Sequence, residues 1–311
     1  MALAAIPLES LRVVGRGLKR PEDVVVGRDG RVWASDQASA CAEARPDGTL
    51  RRVGKTGGAP NGINMDARGR ILIANFGLSG GDPDGAGSLQ RLDPETGAIE
   101  SLCAELDGRR LVASNYPIVD RAGNIWCSHS TWDRERANAG ERDGFVYRVR
   151  PDGHAEVMAR GFWFTNGLAL DAAESYLYVC QTLGRNVVRL PIGKDGTLGP
   201  MEPYGPVLGE PSIPNAAPGQ RVTFGATDGC GFDQEGNLWV TLVAGNTIVA
   251  ITPSGKVERI CQDPTAEIMD FPTNISWGGP DMRDLYIGSI RKDYILHARS
   301  PVPGMPLIHQ R

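Results

Sequence analysis

The sequence predicts an all-β fold, a six-bladed β-propeller with four antiparallel strands per blade, and three observations carry that prediction. The first is a pattern written six times: a polar residue, a short apolar strand, a tight Asp/Gly turn, and a second strand opening on a large apolar residue. Thr227 to Val240 is the clearest copy. On the same frame Glu22 precedes Trp33, Asn61 precedes Leu72, Asn115 precedes Trp126, Asn166 precedes Tyr178, Asp228 precedes Trp239 and Asn274 precedes Tyr286, always at an offset of 11 or 12. The second observation is that units continue into another hairpin, as in Phe145 to Val157 and Thr247 to Glu258, which makes four strands per unit. The third is composition: 40 glycines and 22 prolines suit many short strands joined by turns. From Glu22 to Asn274 five intervals span 252 residues, about 50 per unit, so six units use residues 1–311 as a single β-propeller domain.

Taken in order, the last unit lacks an outer strand. After Tyr294 to Arg299 comes a proline-broken tail. Residues 9–17 supply a candidate, because Arg16 stands six positions before Glu22 as Arg160 stands six before Asn166. This N-terminal strand is expected to close the last blade and remove an exposed sheet edge. The loops after each second strand return to the end of the channel where the polar residues sit. Residues 76–88, 129–144 and 204–224 are therefore the expected functional loops.

The net charge of −4, without clustered Lys or Arg, excludes a nucleic-acid or anionic-membrane surface and leaves small molecules as the expected partners. The start, Met1 to Leu8, lacks the basic flank of a signal peptide, and no apolar run reaches membrane length. A cytoplasmic protein, monomeric or weakly homo-oligomeric, is the expectation. Cys41, Cys103, Cys127, Cys180, Cys230 and Cys261 form no CxxC pair and are expected as buried free thiols.

Six equivalent inner positions must face one another across the channel: Glu22, Asn61, Asn115, Asn166, Asp228 and Asn274. The set holds two carboxylates and four carboxamides. Oxygen-only ligands suit a hard cation, and two negative charges match one divalent ion. The competing reading is that Asn-Gly and Asp-Gly pairs only form turns, but turn chemistry does not demand the same phase in every unit. His129, on the 129–144 loop, is a further candidate as acid, base or substrate donor. No GxSxG elbow is present.

These residues reach a known family. Glu22 ahead of the first inner strand, Asn115-Tyr-Pro-x-x-Asp, Thr165-Asn-Gly-Leu-Ala-Leu-Asp, Asp228-Gly-x-x-x-Asp and Asn274-Ile-Ser-Trp-Gly-Gly-Pro-Asp together resemble the senescence marker protein/gluconolactonase/luciferin-regenerating enzyme family over essentially the full length. The resemblance implies a six-bladed propeller that hydrolyses lactones, with relatives acting on organophosphates. It implies one divalent cation, calcium first, with magnesium, manganese or zinc as alternatives, held by Glu22, Asn166 and Asp228. Asp228 would be the catalytic base, and Asn115, beside the ion, would contact substrate or metal. Asn61, Tyr116, Asn274 and His129 complete the expected substrate contacts. Sugar-lactone members can carry an Arg two residues before the third-unit Asn and an acidic residue after it, where this chain has Ala113 and Tyr116. Tyr116, Trp163, Phe164, Phe224 and Phe271, all near ring positions, predict an aromatic rim and a lactone with alkyl or aryl substituents. The alternatives are a phosphotriesterase-like hydrolase on the same frame and a binding propeller with a structural channel ion.

Overall fold

The computed structural model describes residues 3–79, 87–209 and 226–311. Among them six four-stranded antiparallel sheets form the blades of a propeller. Their inner strands are Val24–Val26, Pro60–Met65, Ser114–Val119, Thr165–Leu170, Thr227–Phe232 and Pro272–Gly278, each packed against the next and the last against the first.

In blades two to five the turn is built from the template's aspartate, Asp66, Asp120, Asp171 or Asp233. Asp120 accepts from the Asn124 N–H and side-chain amide, both at 2.8 Å, and from the Trp126 indole at 2.9 Å. Asp233 repeats this with Asn237 and Trp239. One carboxylate thereby closes the hairpin and orients the large residue that opens the second strand. That residue spaces the blades. Trp33 packs among Ile63, Met65 and Ile73 of the second blade, Trp126 against Leu168 and Val179 of the fourth, and Tyr178 against Phe232 of the fifth. Trp239 meets Trp277 of the sixth edge-on, with ring centroids 5.2 Å apart. The six-fold recurrence in the sequence is thus an inter-blade packing rule, because every blade needs one bulky residue to fill the wedge before its neighbour.

The ring closes through the N-terminus. Arg12–Val14 pairs with Ile295–Arg299, placing Arg12 opposite His297 and Val14 opposite Ile295. Ile6 and Leu11 are buried in the cluster that contains Trp277 and Leu296, and the Ile6 N–H reaches the Ile260 carbonyl of the fifth blade at 2.7 Å. All six cysteines are buried and free. No helix among the described residues is long and apolar enough to cross a membrane.

The tail crosses the channel on the turn side. The Met305 N–H bonds the Phe232 carbonyl at 2.9 Å, and the Gln310 amide reaches the carbonyls of Val26 at 3.1 Å and Trp277 at 2.8 Å. His309 is buried against the Val26 carbonyl, and burial pushes its pKa down to about 4. Met305, Leu307 and Gln310 cap the apolar half of the channel, leaving there a cavity of about 30 Å³, room for about two waters.

Candidate metal and substrate site at the open end of the channel

In blades two to six the inner strand carries a β-bulge at the same place, between Pro60 and Ile63, Ser114 and Pro117, Thr165 and Leu168, Thr227 and Cys230, and Pro272 and Ile275. A bulge puts two residues opposite one and re-aims the first. The first bulged residues are Asn61, Asn115, Asn166, Asp228 and Thr273. With Glu22, these six line one cavity of about 280 Å³ at the open end of the channel.

The expected Asn274 is therefore corrected to Thr273. Asn274 is the second bulged residue, its side-chain Oδ1 accepts from the N–H of its neighbour Ile275 at 2.8 Å, and it does not line the cavity. Second bulged residues form the layer beneath, and three of them, Gly62, Gly167 and Gly229, are glycines for a steric reason. A Cβ on Gly229 would stand 2.1 Å from Asn274 Oδ1, and one on Gly167 would stand 2.6 Å from the Asp228 carbonyl.

Tyr116 shares that deeper layer. It lines the apolar half of the channel, where the Asn64 amide donates to its hydroxyl at 3.4 Å, and so it is not at the mouth. His129 is corrected as well. It is buried in the strand Ile125–His129, stacked on Phe145 with centroids 4.4 Å apart, and its Nε2 accepts from the Val112 and Ala113 N–H groups at 3.3 and 3.2 Å. Burial and the Arg109 charge push its pKa down to about 3, so it is a neutral scaffold group.

Within the ring the Asn61 amide donates to Glu22 Oε1 at 3.0 Å, the Asn115 amide to Ser130 Oγ at 2.9 Å, and the Asn166 amide to Thr182 Oγ1 at 3.0 Å. Thr273 Oγ1 donates to the Glu22 carbonyl. Glu22 Oε2 and Asp228 Oδ1 are buried without a hydrogen-bond partner. Burial raises the Glu22 pKa to about 7, opposed by the Arg20 charge and the Asn61 amide. Burial, then the Glu22 charge, holds Asp228 well above the usual carboxylate range.

Two desolvated carboxylates, each with an unpartnered oxygen beside neutral amide and hydroxyl oxygens, fit a divalent cation. Among the described residues no three His, Cys, Asp or Glu side chains converge. An ion here would thus rely on Glu22 and Asp228 for charge, with the Asn166 amide oxygen as the third expected ligand.

A second layer at the mouth was not foreseen as a layer. Two positions before the ring residue, Arg20, Phe164 and Phe271 all adopt left-handed backbone, with φ of 54°, 61° and 56°, and all three line the cavity. The other three blades have Ala59, Ala113 and Ala226 there. The Arg20 guanidinium donates to Asn61 Oδ1 at 2.7 Å and to the Pro60 carbonyl at 3.1 Å. Arg20 went unread because only the left-handed backbone turns it inward, and its one signal was its place two before Glu22. From the 129–144 loop the helix Arg134–Asn138, capped by Asp133, contributes Arg134 and Asn138 to the cavity. Phe76 supplies another wall, whereas Trp163 is held off the cavity by its indole bond to the Ala137 carbonyl at 2.9 Å. Phe224 and most of the 204–224 loop lie outside the described residues, as do residues 80–86 of the 76–88 loop.

Comparison with known proteins gives three kinds of likeness. A family model described as SMP-30/Gluconolactonase/LRE-like region matches residues 84–291. The chain is 30% identical to a 6-deoxy-6-sulfogluconolactonase of Pseudomonas putida over 56% of this chain, spanning about half of that relative (53%). It is 26% identical to a pentonolactonase of Haloferax volcanii over 65% of this chain and 74% of the relative. Among solved structures, a gluconolactonase of Xanthomonas campestris superimposes with a TM-score of 0.70 at 21% identity, covering 98% of this chain and 96% of that one. Regucalcin of Agrobacterium tumefaciens, described as calcium-binding, does so with a TM-score of 0.72 at 16% identity, covering 99% and 98%. At those identities the structural likenesses speak for the fold.

Proposed function

The chain belongs to the SMP-30/gluconolactonase/LRE-like family, and from that premise we propose that it is a divalent-metal-dependent lactonase acting at the open end of its channel. The observation that carries the reading is the pair of buried carboxylates, Glu22 and Asp228, each presenting an unpartnered oxygen at one cavity. The names of the Pseudomonas and Haloferax relatives support ring opening of a lactone, and the oxygen-only donor set favours calcium.

Glu22, Asn166 and Asp228 would hold the cation. When bound, the ion supplies Lewis acidity toward the acyl oxygen of the ester. Asn115 orients the substrate beside it, and the phenyl rings of Phe76, Phe164 and Phe271 wall off bulk water. Asp228 accepts a proton from the attacking water as its oxygen bonds the acyl carbon and the ring C–O bond breaks; that proton then passes to the departing alkoxide. The product is an open-chain hydroxy acid.

The direct test is elemental analysis and activity toward a lactone panel before and after chelation. Chelation should abolish turnover and re-addition of calcium should restore it. Full metal occupancy in both Glu22→Gln and Asp228→Asn would place the ion elsewhere.

A stability measurement reads the same site independently. In the metal-free fold Glu22 keeps its proton up to about pH 7, whereas its ordinary pKa is 4.5. The folded state then holds more protons between these values, so this contribution is whole below pH 4.5 and lost by about pH 7. Asp228 and Asp23, raised by burial, act in the same sense. A cation favours the charged carboxylates and reverses the trend. Calcium should therefore raise the melting temperature more at about pH 7.5 than at about pH 5. An equal shift at both would mean that these carboxylates do not hold it.

Apolar side chains also set the expected substrate. Besides the three phenyl rings the cavity is lined by Leu183, Val243 and Ile290. A sugar hydroxyl buried there unpaired would cost about 1–3 kcal/mol. A lactone with alkyl or aryl substituents should show the higher kcat/KM in a pH-indicator assay against gluconolactone. A clear preference for the sugar lactone would refute the apolar assignment.

A further inference from the structure

Two guanidinium groups share the mouth with the ring. Arg20 reaches it from the first blade and bonds only neutral acceptors, the Asn61 amide oxygen and the Pro60 carbonyl. Arg134 reaches it from the helix over the third blade, donating to Ser79 Oγ, with its guanidinium carbon 5.1 Å from the Phe76 ring centroid. Among the described residues neither forms a carboxylate ion pair within 4.0 Å. They lie close enough for the Arg20 charge to oppose that of Arg134.

Such a pair is costly to assemble around a neutral ligand, because both cations are drawn out of water toward each other. The charges of Glu22 and Asp228 do not serve them once those carboxylates are given to a divalent ion. What remains is two cations beside an apolar wall in which the Phe76 and Phe164 centroids are 6.4 Å apart. That combination matches a ring with one apolar face and a short anionic arm, since a guanidinium presents a planar fork to a carboxylate.

We propose that Arg20 and Arg134 form a cationic recess that selects lactones carrying an anionic substituent. The inference rests on the lactonase reading and deepens it by naming the substrate class. Arg20, against Asn61, sets where the anion sits relative to the ring; Arg134, over the Phe76 ring at the rim, meets it on entry. Asn138, on the same helix, lines the recess as a neutral donor.

The test is a matched pair of butyrolactones, one with a carboxymethyl arm and one with the corresponding neutral amide, assayed with the calcium-loaded full chain. The acid should have a kcat/KM about 10-fold or more above the amide, falling with added salt. Arg134→Gln should lower turnover of the acid by about 10- to 100-fold and that of the amide by less than about 3-fold, and Arg134→Lys should recover part of the difference. Equal turnover of acid and amide, or equal loss on both in Arg134→Gln, overturns the recess while leaving the lactonase reading intact. If neither lactone is opened, the lactonase reading fails and a binding measurement decides the recess. In that case glutarate should bind the wild-type chain about 10-fold more tightly than butyrate by calorimetry, with Arg134→Gln erasing the gap. Equal affinities for the two would overturn the proposal.

Discussion

Replacing Asp228 by Ala should lower kcat for any lactone substrate by about 10³-fold or more, because one substitution removes an expected ion ligand and the expected proton acceptor together. The loss should exceed that of Asn115→Ala, which leaves the charge of the site intact and should fall partly on KM. Asp228 is held by its bulge between Thr227 and Cys230, pairings made by backbone rather than by its carboxylate, so the variant should fold. Steady-state kinetics with metal content measured on the same samples separates the two roles. Asp228→Ala with near-normal kcat and bound metal would remove this residue from the mechanism.

The second large effect concerns closure. Deleting residues 1–17 removes the strand Arg12–Val14 and the buried side chains of Ile6 and Leu11, and leaves the outer edge of Ile295–Arg299 unpaired. Two buried apolar side chains alone correspond to about 3–6 kcal/mol, on the order of 10 °C in melting temperature for a domain of this size. The bared edge should also promote aggregation. Calorimetry and light scattering check both consequences. A truncated chain that melts like the intact one would mean that the ring is held shut elsewhere.

The blades were legible because each one needs the same wedge-filling residue and four of them share the same Asp turn, so packing imposes a visible period on the sequence. The ring was legible wherever that period also fixed the bulge. It failed in the sixth blade because Asn274 resembles the other ring residues, and the hairpin from Thr273 to Tyr286 is longer than its counterparts. Only the pairing of Pro272 with Ser289 and Ile275 with Ile287 reveals the shift. Tyr116 was misplaced for a related reason: the second residue of a bulge faces the deeper layer, and no residue type announces which of two neighbours goes which way. His129 closes a strand that was read as having ended, and its aromatic neighbours Trp132 and Phe145 are brought together only by the fold. Arg20 depends on a backbone φ of 54° ahead of Pro21, a conformation that composition does not encode.

Among the described residues the tail covers the turn side of the channel, so the proposed reaction would be served from the opposite end. On the proposed reading, a substrate that enters past Arg134, Phe164 and Phe271 would leave past them, and the opened hydroxy acid would be delivered as an anion into a vestibule that already holds two guanidinium groups. Entry of the next molecule therefore waits on departure of the last. Turnover in such a blind alley is governed by how readily the acid escapes, so accumulated product should act as a competitive inhibitor whose grip loosens as ionic strength rises.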